Sequence, residues 1–376
     1  MSNTTNTPSS VEAPTVLVEI RGQVGFITLN RPKALNALSL PMIRALTQCL
    51  LAWRDNPAVK AVAIRGTNKT GPFGGFCAGG DIRFFHQAAM AGNPELEDFF
   101  TEEYALNHLI HTYPKPYIAF MDGIVMGGGM GISQGATHRL VTARTKMAMP
   151  ETNIGLFPDV GGGYFLSRCP GRTGEWLALT GDMMGAGQAL ALGLADGCLD
   201  VEQLQPAWDT LADTDFAQPN TIESWIATYS IASPPYSTRA TGQIDQYFSG
   251  ATVLDIVQAL EAETDEWARE TAITLRKRSP LMLHVVLEQI RRARDMTLAD
   301  DLRMERDMVH HCFNPRHLGL SASQSETVEG IRALAVDKDH APRWNPARIE
   351  DVSPAMVAPF FVSPWTPLTH PLRSLN

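Results

Sequence analysis

Twice in this chain an apolar, strand-like run breaks off into glycines just ahead of a helix, at Cys77-Ala78-Gly79-Gly80-Asp81 and at Gly127-Gly128-Gly129. Glycines in that position serve a backbone that must take a positive φ or come close to another group. Repeating the device sets two helix N-termini where unpaired N–H groups can converge on one negative oxygen. Either turn alone reads as a tight turn with no ligand. The pair gains meaning from the stretch Pro150-Glu151-Thr152-Asn153-Ile154-Gly155-Leu156-Phe157-Pro158-Asp159-Val160-Gly161-Gly162-Gly163. It sets two carboxylates, Glu151 and Asp159, among Leu156, Phe157 and Val160 with little nearby to neutralise them. Desolvation of that kind opens a carboxylate to acid–base or nucleophilic work.

The rest of the first half alternates strand and helix. Val16–Ile20 and Val24–Leu29 predict a hairpin turned at Arg21-Gly22-Gln23, and Ser39 caps a helix through Arg54 with Pro41 in its first turn. Ala61–Arg65 predicts a buried strand and Gly66–Gly80 a loop. Helices follow over Phe84–Ala91 and Pro94–Thr112, and Tyr117–Met121 is the next strand. The glycine triplet opens a helix to about His138, ahead of a strand at Leu140–Thr142. This alternation, as far as Leu199, is the pattern of an α/β fold with a largely parallel sheet.

From Val201 the character changes to helical periodicity, broken near Ser233–Thr241. Gln258–Leu275 and Leu281–Met308 read as long amphipathic helices with dense charge on one face. The division expected is a disordered segment over residues 1–15, an α/β core over 16–205, a helical region over 206–342 and a proline-rich tail over 343–376.

Several function classes are excluded. A net charge of −9, with no basic stripe interleaved with aromatics, argues against nucleic acid. The five cysteines, Cys49, Cys77, Cys169, Cys198 and Cys312, are scattered without C-x-x-C spacing and predict free thiols. No apolar run reaches a membrane span. Met1 to Thr15 lacks both the apolar core of a signal peptide and the arginines of a transit peptide, so a cytoplasmic location is expected. No metal-ligand spacing is present, and no G-x-G-x-x-G is completed, because Ile132 and Leu166 fall where its last glycine belongs. Gly131-Ile132-Ser133-Gln134-Gly135 matches the nucleophile elbow G-x-S-x-G, but Ser133 lies a turn into the helix instead of at the strand-to-helix bend. His310-His311 and Cys77 read as surface or packing residues.

Three blocks, in order, carry a resemblance: Asn30-Arg31-Pro32-Lys33-Ala34-Leu35-Asn36-Ala37-Leu38, Phe76-Cys77-Ala78-Gly79-Gly80-Asp81-Ile82, and Gly127-Gly128-Gly129. The chain resembles the crotonase (enoyl-CoA hydratase/isomerase) superfamily on these blocks, from about Val16 to Ile349. Within the superfamily it is similar to the branch that hydrolyses short, branched 3-hydroxyacyl-CoA thioesters. Phe100-Thr101-Glu102-Glu103-Tyr104, the block Met149–Phe165, and Glu329-Gly330-Ile331-Arg332-Ala333-Leu334 carry that finer likeness.

The resemblance implies a crotonase-like spiral of repeated ββα units with a C-terminal helical region, and an acyl-CoA thioester held between the N–H groups of Gly80 and Gly128. It places the Asn36-Ala37-Leu38 turn and Asp81, Ile82 and Arg83 along the coenzyme A, which is part of the substrate; no separate cofactor or metal is implied. Homo-oligomers occur in the superfamily. Hydratases of the family carry two glutamates that activate one water, and the first falls here at Gly131. Glycine moves no proton, so hydration loses one acid–base group. Glu151 and Asp159 point instead to thioester hydrolysis, with Glu151 as nucleophile or general base, Asp159 orienting water and Glu103 holding a substrate hydroxyl. Glu103 is otherwise a surface glutamate beside Glu102, and Asp159 otherwise a helix cap. A lyase or isomerase of the same fold and a non-catalytic acyl-CoA-binding member are the alternatives.

Overall fold

The computed structural model describes residues 13–236 and 241–376, so residues 1–12 of the N-terminal segment and 237–240 of the Ser233–Thr241 break lie outside the described residues. A six-stranded sheet organises the first half, formed by β1 (Val16–Arg21), β2 (Val24–Leu29), β3 (Ala61–Gly66), β4 (Tyr117–Met121), β6 (His138–Thr142) and β8 (Gly197–Leu199), in the order β1-β2-β3-β4-β6-β8. The β1–β2 hairpin is antiparallel and every other pairing is parallel. Ala63 faces Phe26 on one side and Ile118 on the other.

Both faces of the sheet are covered, which is why β2 and β4 are buried at every residue. Alternate residues divide between two cores. Ile27, Leu29, Val62, Ile64 and Met121 join the larger one, shared with most of the helices. Val24, Phe26, Ala63 and Phe120 join a smaller one under Trp208 and Trp225. Trp208 stands edge-on to Phe26 at 4.7 Å and to Phe120 at 5.2 Å between ring centroids.

A second, two-stranded parallel sheet positions the site. It pairs β5 (Ile124–Met126) with β7 (Lys146–Ala148), Val125 opposite Met147. Cys77 adds a third rung through a parallel bridge to Val125. Cys77, Val125 and Met147 are thus in register, and three residues beyond each lie Gly80, Gly128 and Pro150. Register alone therefore brings the two glycine turns and Glu151 to one edge of the molecule. The strand-like runs ahead of Gly127 and of Glu151 are β5 and β7, and three residues are too few for a period of two to set their bounds.

Helix α1 (Leu40–Arg54), α2 (Ile82–Ala91) and α3 (Glu95–His111) follow the first rungs, and α4 (Gly128–Gln134) follows β5. Ser39 occupies the N-cap position of α1 but its hydroxyl makes no capping bond. Helix α4 stops at Gln134, short of the expected His138, because His138 already belongs to β6. Both long helices expected in the second half are divided. The first consists of Val253–Glu261 and Glu266–Lys277, where Asp265 accepts the Ala268 N–H and starts a new helix. The second consists of Pro280–Ala293 and Leu298–Phe313, restarted by Thr297 accepting the Asp300 N–H. An amphipathic stripe continues across such a break, so only the caps disclose it. Helix Leu298–Phe313 packs on α3, where Phe85, Phe99, Phe100 and Phe313 form one aromatic cluster. Residues at the C-terminus lie against the same two helices: Ser363 donates to Asp307, and the Asn376 carbonyl meets His108.

Candidate active site

A pocket of about 200 Å³ opens where the three rungs end. Its lining includes Gly80, Gly128, Glu103, Glu151 and Asp159, with Ile82, Phe85, Leu156 and Leu334 as apolar walls. Gly79 at φ +106° and Gly127 at φ +47° hold the turns in a conformation that side chains disfavour. Gly128 opens α4, so its N–H has no intrahelical acceptor. Among the described residues neither the Gly80 nor the Gly128 N–H donates to a backbone carbonyl. The two are neighbours: a Cβ on Gly128 would lie 3.3 Å from the Gly80 nitrogen and would press on Oε1 of Glu103. A Cβ on Gly127 would lie 2.8 Å from Oε1 of Glu151. Any side chain here would fill the place where donors and carboxylates meet.

All three carboxylates are buried, Glu103 at 2%, Glu151 at 7% and Asp159 at 6% exposure, and among the described residues no Lys, Arg or His lines the pocket. Burial is the main force on each of them. It pushes Glu103 and Glu151 well above the usual carboxylate range, with the charges of neighbouring carboxylates adding to the rise. Asp159 is pushed up to about 7, burial being opposed by a hydrogen bond from the Tyr104 hydroxyl. Oε1 of Glu103 and Oε2 of Glu151 have no hydrogen-bond partner among the described residues. Groups with raised pKa and open oxygen atoms beside unpaired N–H donors can bind, attack or deprotonate a polar substrate.

Placement settles the bland alternatives for two residues. Glu103 is not a surface glutamate: α3 turns Glu102 outward to a fork with Arg44 at 2.7 to 3.2 Å and Glu103 inward. Asp159 is not the side-chain cap of the next helix. Helix α5 (Gly162–Leu166) begins after Gly161, and Glu305 takes that role, accepting from the N–H groups of Gly161 at 2.7 Å and Gly163 at 3.0 Å. Asp301 accepts from Tyr164 N–H at 2.8 Å, and Gln289 donates to the Pro158 carbonyl at 2.7 Å. The loop carrying Asp159 is therefore held from helices far away in sequence, with Val160 at φ +58°. Sequence reasoning missed Tyr104, Gln289, Asp301 and Glu305. Asp301 and Glu305 lie in a stretch whose dense charge predicts an exposed helix face, yet both are fully buried.

Other sequence-identified residues lie outside the pocket lining, apart from Ile82. Asn36 is buried and its amide is spent on backbone, donating to the Thr67 and Gly75 carbonyls and accepting from Arg31 N–H, each at 2.8 Å. Arg31 donates to the Ala37 carbonyl at 2.9 Å and pairs with Asp81 at 2.8 Å. Leu38 bridges to Gly80, its N–H donating to the Gly79 carbonyl at 2.7 Å. Arg83 is exposed on α2.

Gly131 is sterically closed. A Cβ there would lie 2.6 Å from Cβ of Val160 and 2.9 Å from Nδ2 of Asn107. Ser133 is buried and its hydroxyl donates to the Gly129 carbonyl within α4, so it is no elbow nucleophile. Burial pushes the Cys77 thiol up to about 12, which leaves it unreactive. Among the described residues no cluster of His, Cys, Asp and Glu suits a metal, and no helix is long and apolar enough to cross a membrane.

A family model for enoyl-CoA hydratase/isomerase matches residues 24–361. The chain is 38% identical to the mitochondrial 3-hydroxyisobutyryl-CoA hydrolase of Danio rerio over 361 residues, covering 94% of this chain and 91% of that one. It is 38% identical to a probable 3-hydroxyisobutyryl-CoA hydrolase of Arabidopsis thaliana, covering 92% and 91%. Among solved structures, a carnitinyl-CoA dehydratase from Mycobacterium thermoresistibile superposes with a TM-score of 0.83 at 38% identity, over 93% of this chain and 96% of that one. An enoyl-CoA hydratase from Rhodobacter sphaeroides 2.4.1 does so at 0.83 and 35%, over 93% and 98%. The expected cytoplasmic location is overturned, since the relatives from Danio rerio, Gallus gallus and Rattus norvegicus are named mitochondrial. That expectation rested on the composition of residues 1–15, and the fold of an enzyme carries no address for its compartment.

Proposed function

The chain belongs to the enoyl-CoA hydratase/isomerase family, and from that premise we propose that it hydrolyses the thioester of 3-hydroxyisobutyryl-CoA, releasing 3-hydroxyisobutyrate, as in valine breakdown, and coenzyme A. The observation that carries this reading is the convergence of Glu151, Asp159 and Glu103 on two unpaired N–H groups, next to a Gly131 that leaves no room for a hydratase glutamate.

The thioester carbonyl oxygen docks between the Gly80 and Gly128 N–H groups, which stabilise the oxyanion as it forms. In its ionised form Glu151 either adds to the carbonyl carbon, expelling coenzyme A as its thiolate and leaving an anhydride that water opens while Asp159 takes that water's proton, or itself takes the proton of a water that adds directly and that Asp159 orients. In both routes the departing thiolate then recovers the proton the water gave up. Glu103 bonds the substrate 3-hydroxyl; an analogue lacking it leaves this buried group unpaired and is rejected. Coenzyme A extends out past Ile82 toward Arg83, and no further cofactor is needed.

The names of the two solved neighbours favour a second reading, hydration of an enoyl thioester. One experiment separates the two: thiol release from 3-hydroxyisobutyryl-CoA by wild type and Glu151→Gln, with crotonyl-CoA hydration alongside. Thiol release lowered by roughly a hundredfold or more in the variant, with negligible hydration, is the expected result. Hydration without thiol release would sink the hydrolase reading, and binding of coenzyme A without either turnover would mark a non-catalytic member.

A further inference from the structure

A second cavity of about 200 Å³ adjoins the catalytic pocket, and the same three elements wall both. On α3, Glu103 lines the first and Asn107, one helical turn on, lines the second. On α4 the corresponding pair is Gly128 and Gly131, and in the loop it is Asp159 and Val160. Val160 and Asn107 fill the space that a Cβ on Gly131 would enter.

The two cavities differ in their ionisable groups. Among the described residues, carboxyl groups and no cation line the catalytic pocket, whereas Arg139 and Arg168 and no carboxyl group line the second, together with His111, whose pKa burial lowers. Asp196 matches Arg139 at 2.7 Å. Arg168 has no carboxylate partner among the described residues: it donates to the Tyr164 and Met296 carbonyls, both at 2.8 Å, and lies 3.5 Å over the Tyr164 ring. Asn107 is 2% exposed, and neither its Nδ2 nor its Oδ1 has a partner among the described residues. Buried amides are ordinarily hydrogen-bonded, so this one is suited to a polar ligand group.

We propose that the second cavity binds the free hydroxy acid as its carboxylate and carries it away from the catalytic pocket. The inference rests on the hydrolase reading above. Hydrolysis converts a neutral acyl thioester into a carboxylate inside a pocket lined by carboxyl groups and, among the described residues, by no cation, so no positive charge there balances the one that forms. Next door the acid meets the Arg168 guanidinium, which is bonded to carbonyls and lies near the buried Asp301, and an amide with a free donor and a free acceptor. Passage requires the Asn107 and Val160 side chains to part.

Binding of 3-hydroxyisobutyrate to the full chain, measured by titration calorimetry with coenzyme A saturating, tests this. The affinity is expected to fall about tenfold or more in Arg168→Gln and in His111→Trp, and to remain essentially unchanged in Glu103→Gln. Full affinity in the first two variants with loss in the third would overturn the proposal, placing the acid in the catalytic pocket alone. An acid that does not bind the wild type would overturn it too. If Arg168→Gln fails to fold, the exposed His111→Trp carries the test. Thiol release by the wild type is assayed separately: its absence sinks the hydrolase reading, whereas normal release without acid binding sinks the cavity proposal alone.

Discussion

The Tyr104 hydroxyl donates to Oδ2 of Asp159 at 2.8 Å, joining helix α3 to a loop 55 residues further along the chain. Glu103, the residue before Tyr104, faces the same pocket. One turn of helix thus supplies a carboxylate to the site and fixes the position of another.

Tyr104→Phe removes a bond that favours ionised Asp159, so its pKa rises beyond about 7. If Asp159 acts as an ionised proton acceptor, the acid limb of kcat/KM moves to higher pH by roughly one unit. A pH–rate profile of thiol release checks this, and an unmoved limb would show that Asp159 does not titrate in the rate-limiting step.

The buried carboxylates also set how stability depends on pH. Asp159 ionises near 3.8 when unfolded and near about 7 when folded, so the folded chain holds the proton more tightly. Its contribution is fully present below the unfolded value and is lost as pH rises through the folded one. Asp159→Asn should therefore flatten the fall in Tm across this window; melts from about pH 4 to 8 decide, and parallel curves would refute it.

Gly131→Ala drives a methyl group to within 2.6 Å of Val160. Overpacking of that order destabilises by about 1–3 kcal/mol. Gly131→Glu should be less stable still and should not gain crotonyl-CoA hydration, because its side chain has no space beside Asn107. Thermal unfolding and an enoyl-hydration assay measure both, and recovered hydration would contradict the steric argument.

Glu305→Gln keeps the shape of the side chain but turns one acceptor into a donor facing the N–H groups of Gly161 and Gly163. A buried donor left unpaired costs about 1–3 kcal/mol. The Asp159 loop loosens as a result, lowering kcat more than it raises KM. Steady-state kinetics test this, and a change confined to Tm would limit Glu305 to a structural role.

Much was legible in the residues themselves. The alternation of apolar runs with glycine turns disclosed the α/β half, since sheet and helix periods are local properties of sequence. The bounds of the three-residue strands and the capped helix breaks were not legible, because the first are too short for a period and the second interrupt no stripe.

The sequence by itself determined which residue types were available: two glycine turns, Glu151 and Asp159 in an apolar stretch, and no acid at Gly131. Only the tertiary structure decided their company. The parallel register of Cys77, Val125 and Met147 brings Gly80, Gly128 and Glu151 together. The rotation of α3 turns Glu103 inward, and the packing of helix Leu298–Phe313 makes Glu305, not Asp159, the cap of α5. These outcomes depend on contacts between segments up to 144 residues apart, and no local pattern encodes the burial that unpaired carboxylates need in order to hold their protons.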